Sequence, residues 1–426
     1  MNKVLIICSN FLPVRNGGTI RCEKMVKYLP NFGWETVVLT RSPANISKTF
    51  YPKDQKYSKV YRTNNFDLAD FYVKIKSFIN FSQNKNNISK NKTSIKRRFS
   101  EYFLVPDSEI FWALGSLLKS FKIVKKEKPL IILSSGPSHS SHLIALFLKI
   151  TFGVKWIVEF RDPWTMNPFN IGKAYKILKI VDDWLEKIVL KKANIINVTS
   201  SKYKDQFLEK YEFLNTNKIT YIPNGFDPED FDNILLNKNK KFTLVHSGNF
   251  YQHRSSKKII EALIYMFDNN LLNRENIEVK FIGILDDLGV DIINNSNYRD
   301  NFIITGFVSH QESIKEILNS DLLLLIPGPG DGTMPGKFYE YLAASKPIFC
   351  IANEGPAKFL IEKYKLGKVS IDDDKIIIAN NLNELISNIA NKFFKYPNIE
   401  KLKRKFDRRE IAKQMAEILE SEISKI

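Results

Sequence analysis

Short runs rich in branched aliphatic residues recur along the chain with helix-length segments between them, and this alternation constrains the fold more than any other feature. A first series comprises Val4–Cys8, Thr36–Thr40, Leu130–Ser134, Trp156–Phe160, Ile195–Thr199 and Thr220–Ile222. A second comprises Phe242–His246, Val279–Ile282, Phe302–Thr305, Leu322–Ile326, Ile348–Ile351 and Lys368–Ile371. Each run is almost continuously apolar, as strands buried on both faces must be, and such strands belong to parallel sheets with helical crossovers. Six and six predict an α/β chain of two tandem Rossmann-like, doubly wound domains with a cleft between them. The expected division is 1–227, 228–407 and a C-terminal helix over 408–426 that packs back across the domains. Ile411, Met415, Ile418 and Leu419 give that helix its apolar stripe. A length of 426 residues agrees, at roughly 150 residues per domain.

Charge separates the halves. Residues 1–227 carry 37 Lys+Arg against 18 Asp+Glu, whereas 228–426 carry 27 against 28, so the net +18 belongs entirely to the first half. An anionic partner of that half is expected, whether nucleic acid, nucleotide or an anionic membrane surface. Phe71, Ile75, Phe78 and Ile79 fit one helical face, and Lys85, Lys90, Lys92, Lys96, Arg97 and Arg98 follow without an acidic residue. The segment 71–98 therefore reads as a membrane-facing element or as a solvated polar loop. Nucleic acid is disfavoured, because no recognised binding motif and no aromatic–basic interleaving is present. Cys8, Cys22 and Cys350 are too few and too scattered for a disulfide framework or metal knot. The start Met1–Ile7 lacks signal-peptide architecture, and no apolar run reaches the ~18–20 residues of a membrane span. The expected location is the cytoplasm, with any membrane contact peripheral and at the inner face.

Two loops carry chemistry. Gly17-Gly18 follows the first strand and opens a helix whose inner face is Cys22, Met25, Val26 and Leu29. Backbone N–H groups and the positive helix end would suit a phosphate there, although Gly-Gly also serves as an ordinary strand-to-helix turn. In the second half, Leu322–Ile326 enters Pro327-Gly328-Pro329-Gly330-Asp331-Gly332-Thr333-Met334-Pro335-Gly336-Lys337 and then a helix with Phe338, Tyr341 and Leu342 buried. Backbone from Gly332 through Thr333, Met334 and Pro335 to Gly336 can surround a diphosphate with its N–H groups, Pro335, which has none, standing where a helix would start. Lys337 and Glu340 stand at i, i+3: a surface ion pair, or a phosphate-neutralising cation beside an acceptor for ribose hydroxyls.

These loops belong to an ordered set. It comprises Gly17-Gly18, Ser135-Gly136-Pro137-Ser138-His139-Ser140-Ser141-His142, Glu159-Phe160-Arg161-Asp162-Pro163-Trp164 and Ile222-Pro223-Asn224-Gly225-Phe226-Asp227 in the first half. His246-Ser247-Gly248-Asn249 with Arg254, Ile304-Thr305-Gly306-Phe307-Val308-Ser309 and Pro335-Gly336-Lys337 through Glu340 follow in the second. Together, over nearly the whole chain, they resemble the retaining GT-B glycosyltransferases of family four. The resemblance implies a nucleotide-sugar donor, with UDP or GDP as its nucleotide, held mainly by the second domain. Gly248 and Asn249 would approach the diphosphate, Arg254 and Lys337 would neutralise it, and Gly306, Phe307 and Val308 would present backbone to the base. Glu340 would hold the ribose, and Gly17 and Gly18 would reach the donor phosphates. His139 and Asp162 would face acceptor and sugar; the plainer alternatives are a capping or solvent-facing His139 and an Asp162 paired with Arg161. The family's Glu-x7-Glu pattern is broken, since Gly332 stands where the first Glu belongs and Asp331 lies beside it.

The implied reaction moves a sugar from an NDP-sugar to a glycan or lipid-linked acceptor hydroxyl with retention, in bacterial surface polysaccharide or lipid-linked glycan synthesis. Neither a cofactor nor a metal is expected: Asp372-Asp373-Asp374 reads as a solvated turn. A sugar-nucleotide epimerase of the same fold is the alternative, and a basic nucleic-acid-binding protein a weaker one.

Overall fold

In the computed structural model, which describes residues 1–14, 17–43, 58–64, 104–167, 175–236, 239–250, 255–327, 334–371 and 374–425, the chain divides into two compact units. One comprises Met1–Pro223 with Ile411–Ile426, the other Asn224–Glu410. The first runs β1 (Asn2–Ile7), α1 (Gly17–Tyr28), β2 (Trp34–Arg41), β3 (Ser58–Thr63), α2 (Ile110–Glu127), β4 (Ile131–Gly136), α3 (Ser140–Phe152), β5 (Lys155–Phe160), α4 (Lys176–Lys192), β6 (Ile195–Val198), α5 (Ser201–Lys210) and β7 (Ile219–Tyr221). The second runs β8 (Phe242–Ser247), α6 (Lys257–Asp268), β9 (Ile277–Ile282), α7 (Asp287–Asn294), β10 (Phe302–Gly306), α8 (His310–Asn319), β11 (Leu322–Leu325), α9 (Gly336–Ala344), β12 (Ile348–Ile351), α10 (Pro356–Tyr364), β13 (Gly367–Ser370), α11 (Lys375–Ala390) and α12 (Glu400–Lys405). The closing helix α13 (Arg408–Ile423) returns to the first unit from Ile411 onward.

Each unit is built on one sheet. The first has strand order β3-β2-β1-β4-β5-β6-β7 and the second β10-β9-β8-β11-β12-β13. Every pairing is parallel, as the apolar runs required. Both orders reverse direction once, between β1 and β4 and between β8 and β11, and ligands of doubly wound sheets bind beyond the strand ends at such points.

Alternation along β1 shows how the core is divided. Leu5 and Ile7 join the cluster formed with α2, α3, α4 and α5, while Val4 and Ile6 join the one formed with α1 and α13. Ile411, Met415 and Leu419 of α13 are buried in that second cluster, beside Cys22, Met25 and Val26 of α1. Full burial of such side chains contributes roughly 1.5–3 kcal/mol each.

One strand was not expected. β3 (Ser58–Thr63) pairs with β2 at the sheet edge, and most of its residues are only half-buried. Its Lys59 lies 3.2 Å from the buried Glu127 of α2, which also accepts a hydrogen bond from Tyr61 Oη at 2.6 Å. An edge strand with polar partners has no need of the continuous apolar run that marks a central one. The segment 71–98 lies outside the described residues. Among those described, no helix is long and apolar enough to cross a membrane.

Candidate functional site

In the first unit, candidate residues collect beyond the ends of β1, β4 and β5. Gly17 and Gly18 open α1, whose first turn holds no acidic residue. Arg161, just past β5, rests on Gly18: a Cβ at residue 18 would lie 1.8 Å from the guanidinium Nη1. That contact explains a glycine here better than turn geometry does. Arg161 Nε donates to Gly136 O at 2.9 Å and Nη2 to Pro137 O, while Nη1 is buried without a hydrogen-bond partner. The expected alternative pairing of Arg161 with Asp162 is not formed. A guanidinium set against the positive end of α1 makes a location suited to an anion.

His139 occupies the cap position of α3, but its side chain makes no capping bond. Its ring is buried and stacks on Trp164, with centroids 4.9 Å apart and planes within 3°. It is therefore neither a capping nor a solvent-facing histidine. The α3 start is held by Asp107, which accepts from Ser138 Oγ at 2.9 Å, Ser140 Oγ at 2.7 Å and Ser140 N at 3.1 Å. Asp107 lies 33 residues from Ser140, so nothing in local spacing could have indicated it. His142 is fully buried with Nδ1 2.9 Å from Ser134 Oγ, and burial, then the charges of His139 and Arg161, push its pKa well below the usual range. It is a neutral core histidine. Asp162 is half-buried; desolvation raises its carboxyl, and Arg161 opposes that rise without cancelling it.

Behind these groups lies a buried tie. Arg21 of α1 donates to Glu159 Oε2 through Nε at 3.0 Å and Nη2 at 2.8 Å, and reaches Pro223 O at 2.7 Å and Ile222 O at 3.1 Å. Glu159 also accepts from Ser135 Oγ at 2.8 Å and Asn197 Nδ2 at 2.9 Å. Burial would raise the Glu159 carboxyl, but the Arg21 charge and these hydrogen bonds hold it below its ordinary value. Arg21 was not singled out in the sequence, where it is one more basic residue in a basic half.

In the second unit, the ends of β8, β9 and β10 are tied by backbone. Gly248 N donates to Ile282 O at 2.9 Å and Gly283 N to Gly306 O at 2.9 Å. Asn249 Oδ1 accepts from Ile284 N at 2.9 Å, which gives Asn249 a structural task. Gly283 escaped the sequence reading; its φ is +116°, and a Cβ would meet Gly248 O at 2.5 Å and Asn249 Oδ1 at 2.6 Å. Gly306 has φ +68°, and Phe307 beyond it is 75% exposed, presenting an unpaired aromatic face next to half-buried Val308. Arg254 and Thr333, like Asp331 and Gly332, lie outside the described residues.

Helix α9, like α10, begins at a strand end of this sheet with neither a side-chain cap nor a first-turn acid, whereas side chains hold the starts of α6, α8 and α11. Asp286 accepts from Ser256 N at 3.1 Å at the start of α6, Ser309 and Glu312 form a capping box on α8, and Asp374 accepts from Ile376 N at 2.7 Å on α11. The start of α9 has Pro335 at its cap, no side-chain cap and no acid in its first turn. It carries Lys337 instead, whose Nζ lies 2.6 Å from Glu340 Oε2 and 3.2 Å from Ser313 Oγ. Ser313 Oγ is 2.8 Å from Ser247 Oγ, and Ser247 N donates to Tyr341 Oη at 2.8 Å, so α9 is fastened to the end of β8. Met334 and Pro335 precede it, half-buried. Lys337 and Glu340 thus form the ion pair of the first reading, and that pair flanks an uncapped helix start.

The sequence profile of Glycosyltransferase Family 4 matches residues 15–230, just over half of the chain. The chain belongs to glycosyltransferase family 4. The matched stretch covers nearly all of the first unit up to Pro223, including Gly17, Gly18, His139 and Asp162. No curated protein matches the chain in sequence. Solved structures resemble it throughout its length. A glycosyltransferase from Rickettsia africae superposes with TM-score 0.67 at 14% identity, over 98% of this chain and 97% of that one. Sucrose-phosphate synthase from Thermosynechococcus elongatus gives 0.66 at 14% identity with both chains fully covered. Anabaena HepE in complex with UDP-glucose gives 0.64 at 13%, over 98% and 99%. At such identities the likeness is one of fold: two Rossmann-like domains, the GT-B class. For a family 4 glycosyltransferase, the epimerase alternative is not favoured. Among the described residues, no group of three or more side chains suited to a metal is present.

Proposed function

We propose that this family 4 glycosyltransferase transfers a sugar from an NDP-sugar to a hydroxyl of a glycan or lipid-linked acceptor, with retention and without a metal. The observation that carries the reading is the start of α9, uncapped, free of acids and flanked by Lys337 and Glu340. Anionic phosphates suit a helix start of this kind. Lys337 is then shared between phosphate and Glu340, and Glu340 accepts from the ribose hydroxyls. Gly248, Gly306, Phe307, Val308, Thr333, Met334, Pro335 and Gly336 are assigned to the donor, with Asn249 acting through the loop it holds. Arg254, Gly17 and Gly18 are assigned to the phosphates. UDP or GDP is the proposed nucleotide, and the UDP-glucose complex of Anabaena HepE, a structure of the same fold, supports the former.

In the reaction, the bond from the anomeric carbon to the diphosphate breaks and the nucleotide leaves with its electron pair. The acceptor oxygen bonds to that carbon on the same face and gives its proton to the departing phosphate. Catalysis then rests on stabilising charge on the leaving oxygen, through Lys337, Arg254 and helix amides. His139 and Asp162 line the acceptor and sugar, with 1–227 as acceptor-side and 228–407 as donor-side domain. Asp331 is proposed to stand in for the carboxylate missing at Gly332. Bacterial surface polysaccharide or lipid-linked glycan synthesis suits an acceptor on a cytoplasmic leaflet, and the basic first half supports an anionic membrane as partner.

The test supplies UDP- or GDP-sugars with and without lipid-linked acceptor, in the presence of a chelator. Nucleotide release should depend on acceptor, and NMR should find the product anomer matching the donor. Glu340→Ala should lower kcat/KM about 10–100-fold, the ~1.5–3 kcal/mol of hydrogen bonds to a charged group. Unchanged activity in that variant would overturn the donor assignment.

A further inference from the structure

We infer that α4 is a membrane-docking helix, with its outer face seated on an anionic lipid surface. Up to Glu186 the helix is amphipathic in the reverse sense for one packed on a sheet, and only then do Val189 and Leu190 enter the core. Ile177, Ile180, Val181 and Trp184 recur at i, i+3, i+4 and i+7, and they point outward with exposures of 62, 53, 37 and 57%. Two of its three acids point inward and are fully engaged. Asp182 Oδ1 accepts from Trp164 Nε1 at 2.7 Å, and Glu186 accepts from Tyr211 Oη at 2.6 Å, Lys210 Nζ at 3.0 Å and Thr165 N at 3.3 Å. The third, Asp183, lies 3.4 Å from Lys210. Lys176, Lys179, Lys187, Lys191 and Lys192 are all exposed.

At 100° per residue, Lys176 and Lys187 run along one edge of the apolar stripe and Lys192 along the other, while Lys191 continues the line of the stripe beyond Trp184. An apolar stripe bordered by lysines, with an aromatic residue at its centre, matches the boundary between acyl chains and anionic headgroups. A second copy of this chain is a poorer occupant, because a twofold contact would set these lysines against their own equivalents. Helix α3, which packs on α4, leaves Ile150 exposed, and α2, which packs on α3, leaves Leu114 and Leu118 exposed. The inference rests on the membrane partner proposed above and is independent of donor chemistry.

Trp184 supplies its own probe. Of the five tryptophans, Trp34, Trp112, Trp156 and Trp164 are at most 2% exposed. The full chain is mixed with phosphatidylcholine vesicles with and without phosphatidylglycerol, and flotation and tryptophan emission are followed at low and high salt. The expected result is flotation with the anionic vesicles only, weakened by salt, with a blue shift in emission that Trp184→Phe removes. Ile177→Glu/Ile180→Glu and Lys176→Glu/Lys187→Glu, all at exposed positions, should each lower partitioning by at least about tenfold. Circular dichroism checks that both variants fold. Absence of wild-type flotation overturns both this inference and the membrane partner. Flotation unchanged in both variants overturns the α4 assignment alone, and so does self-association in solution that Ile177→Glu/Ile180→Glu abolishes.

Discussion

Asp162 illustrates how a single side chain at the candidate site can be tested without knowing the substrate. Burial raises its carboxyl above the ordinary value, and Arg161, turned toward Gly136 and Pro137, only moderates the rise. A carboxyl raised on folding favours the native state while protonated. That contribution is whole below the unfolded value of about 3.9 and is lost as pH climbs through the folded value. Asp162→Asn stays neutral throughout, so its Tm should match wild type in acid and exceed it at neutral pH. A Tm difference that does not vary with pH would show that Asp162 is not desolvated. At this scale, Lys337 and Glu340 were legible because their spacing and the glycine-rich loop are local. Asp107, Gly283 and Arg21 were not, because each acts on a residue far away in sequence: Ser140, Gly248 and Glu159.

Among elements, the tie of α1 to β5 positions the first unit's candidate residues. Arg21 and Glu159 are both almost wholly buried, and Glu159, on β5, stands two residues before Arg161. Replacing Arg21 by Met leaves the Glu159 charge buried without its main partner, which costs about 3–5 kcal/mol. Urea unfolding should register that loss, and Arg21→Met/Glu159→Leu should recover much of it, because an apolar pair no longer strands a charge. A double variant no more stable than Arg21→Met would mean that the tie is not the pairwise interaction described. Central strands were legible from their apolar runs, whereas β3 was not, since an edge strand carrying Lys59 and Arg62 shows no such pattern. The outward face of α4 was missed for the opposite reason. Its apolar residues have helical spacing, and spacing alone does not say which face meets the sheet.

For the molecule as a whole, two units share a topology and differ in charge. The family match lies mostly in the first and the donor assignment in the second. The claim on which most depends is that the start of α9 binds a nucleoside diphosphate, because donor class, leaving group and the role of Lys337 all follow from it. Titration calorimetry with UDP and GDP, on wild type and Lys337→Ala, tests it most directly. The account predicts that one of the two binds and that Lys337→Ala weakens binding about 10–100-fold, since the variant loses ~1.5–3 kcal/mol of charge-assisted contact and leaves Glu340 unpaired beside the phosphates. Binding of neither nucleotide, or equal affinity in the variant, would contradict it.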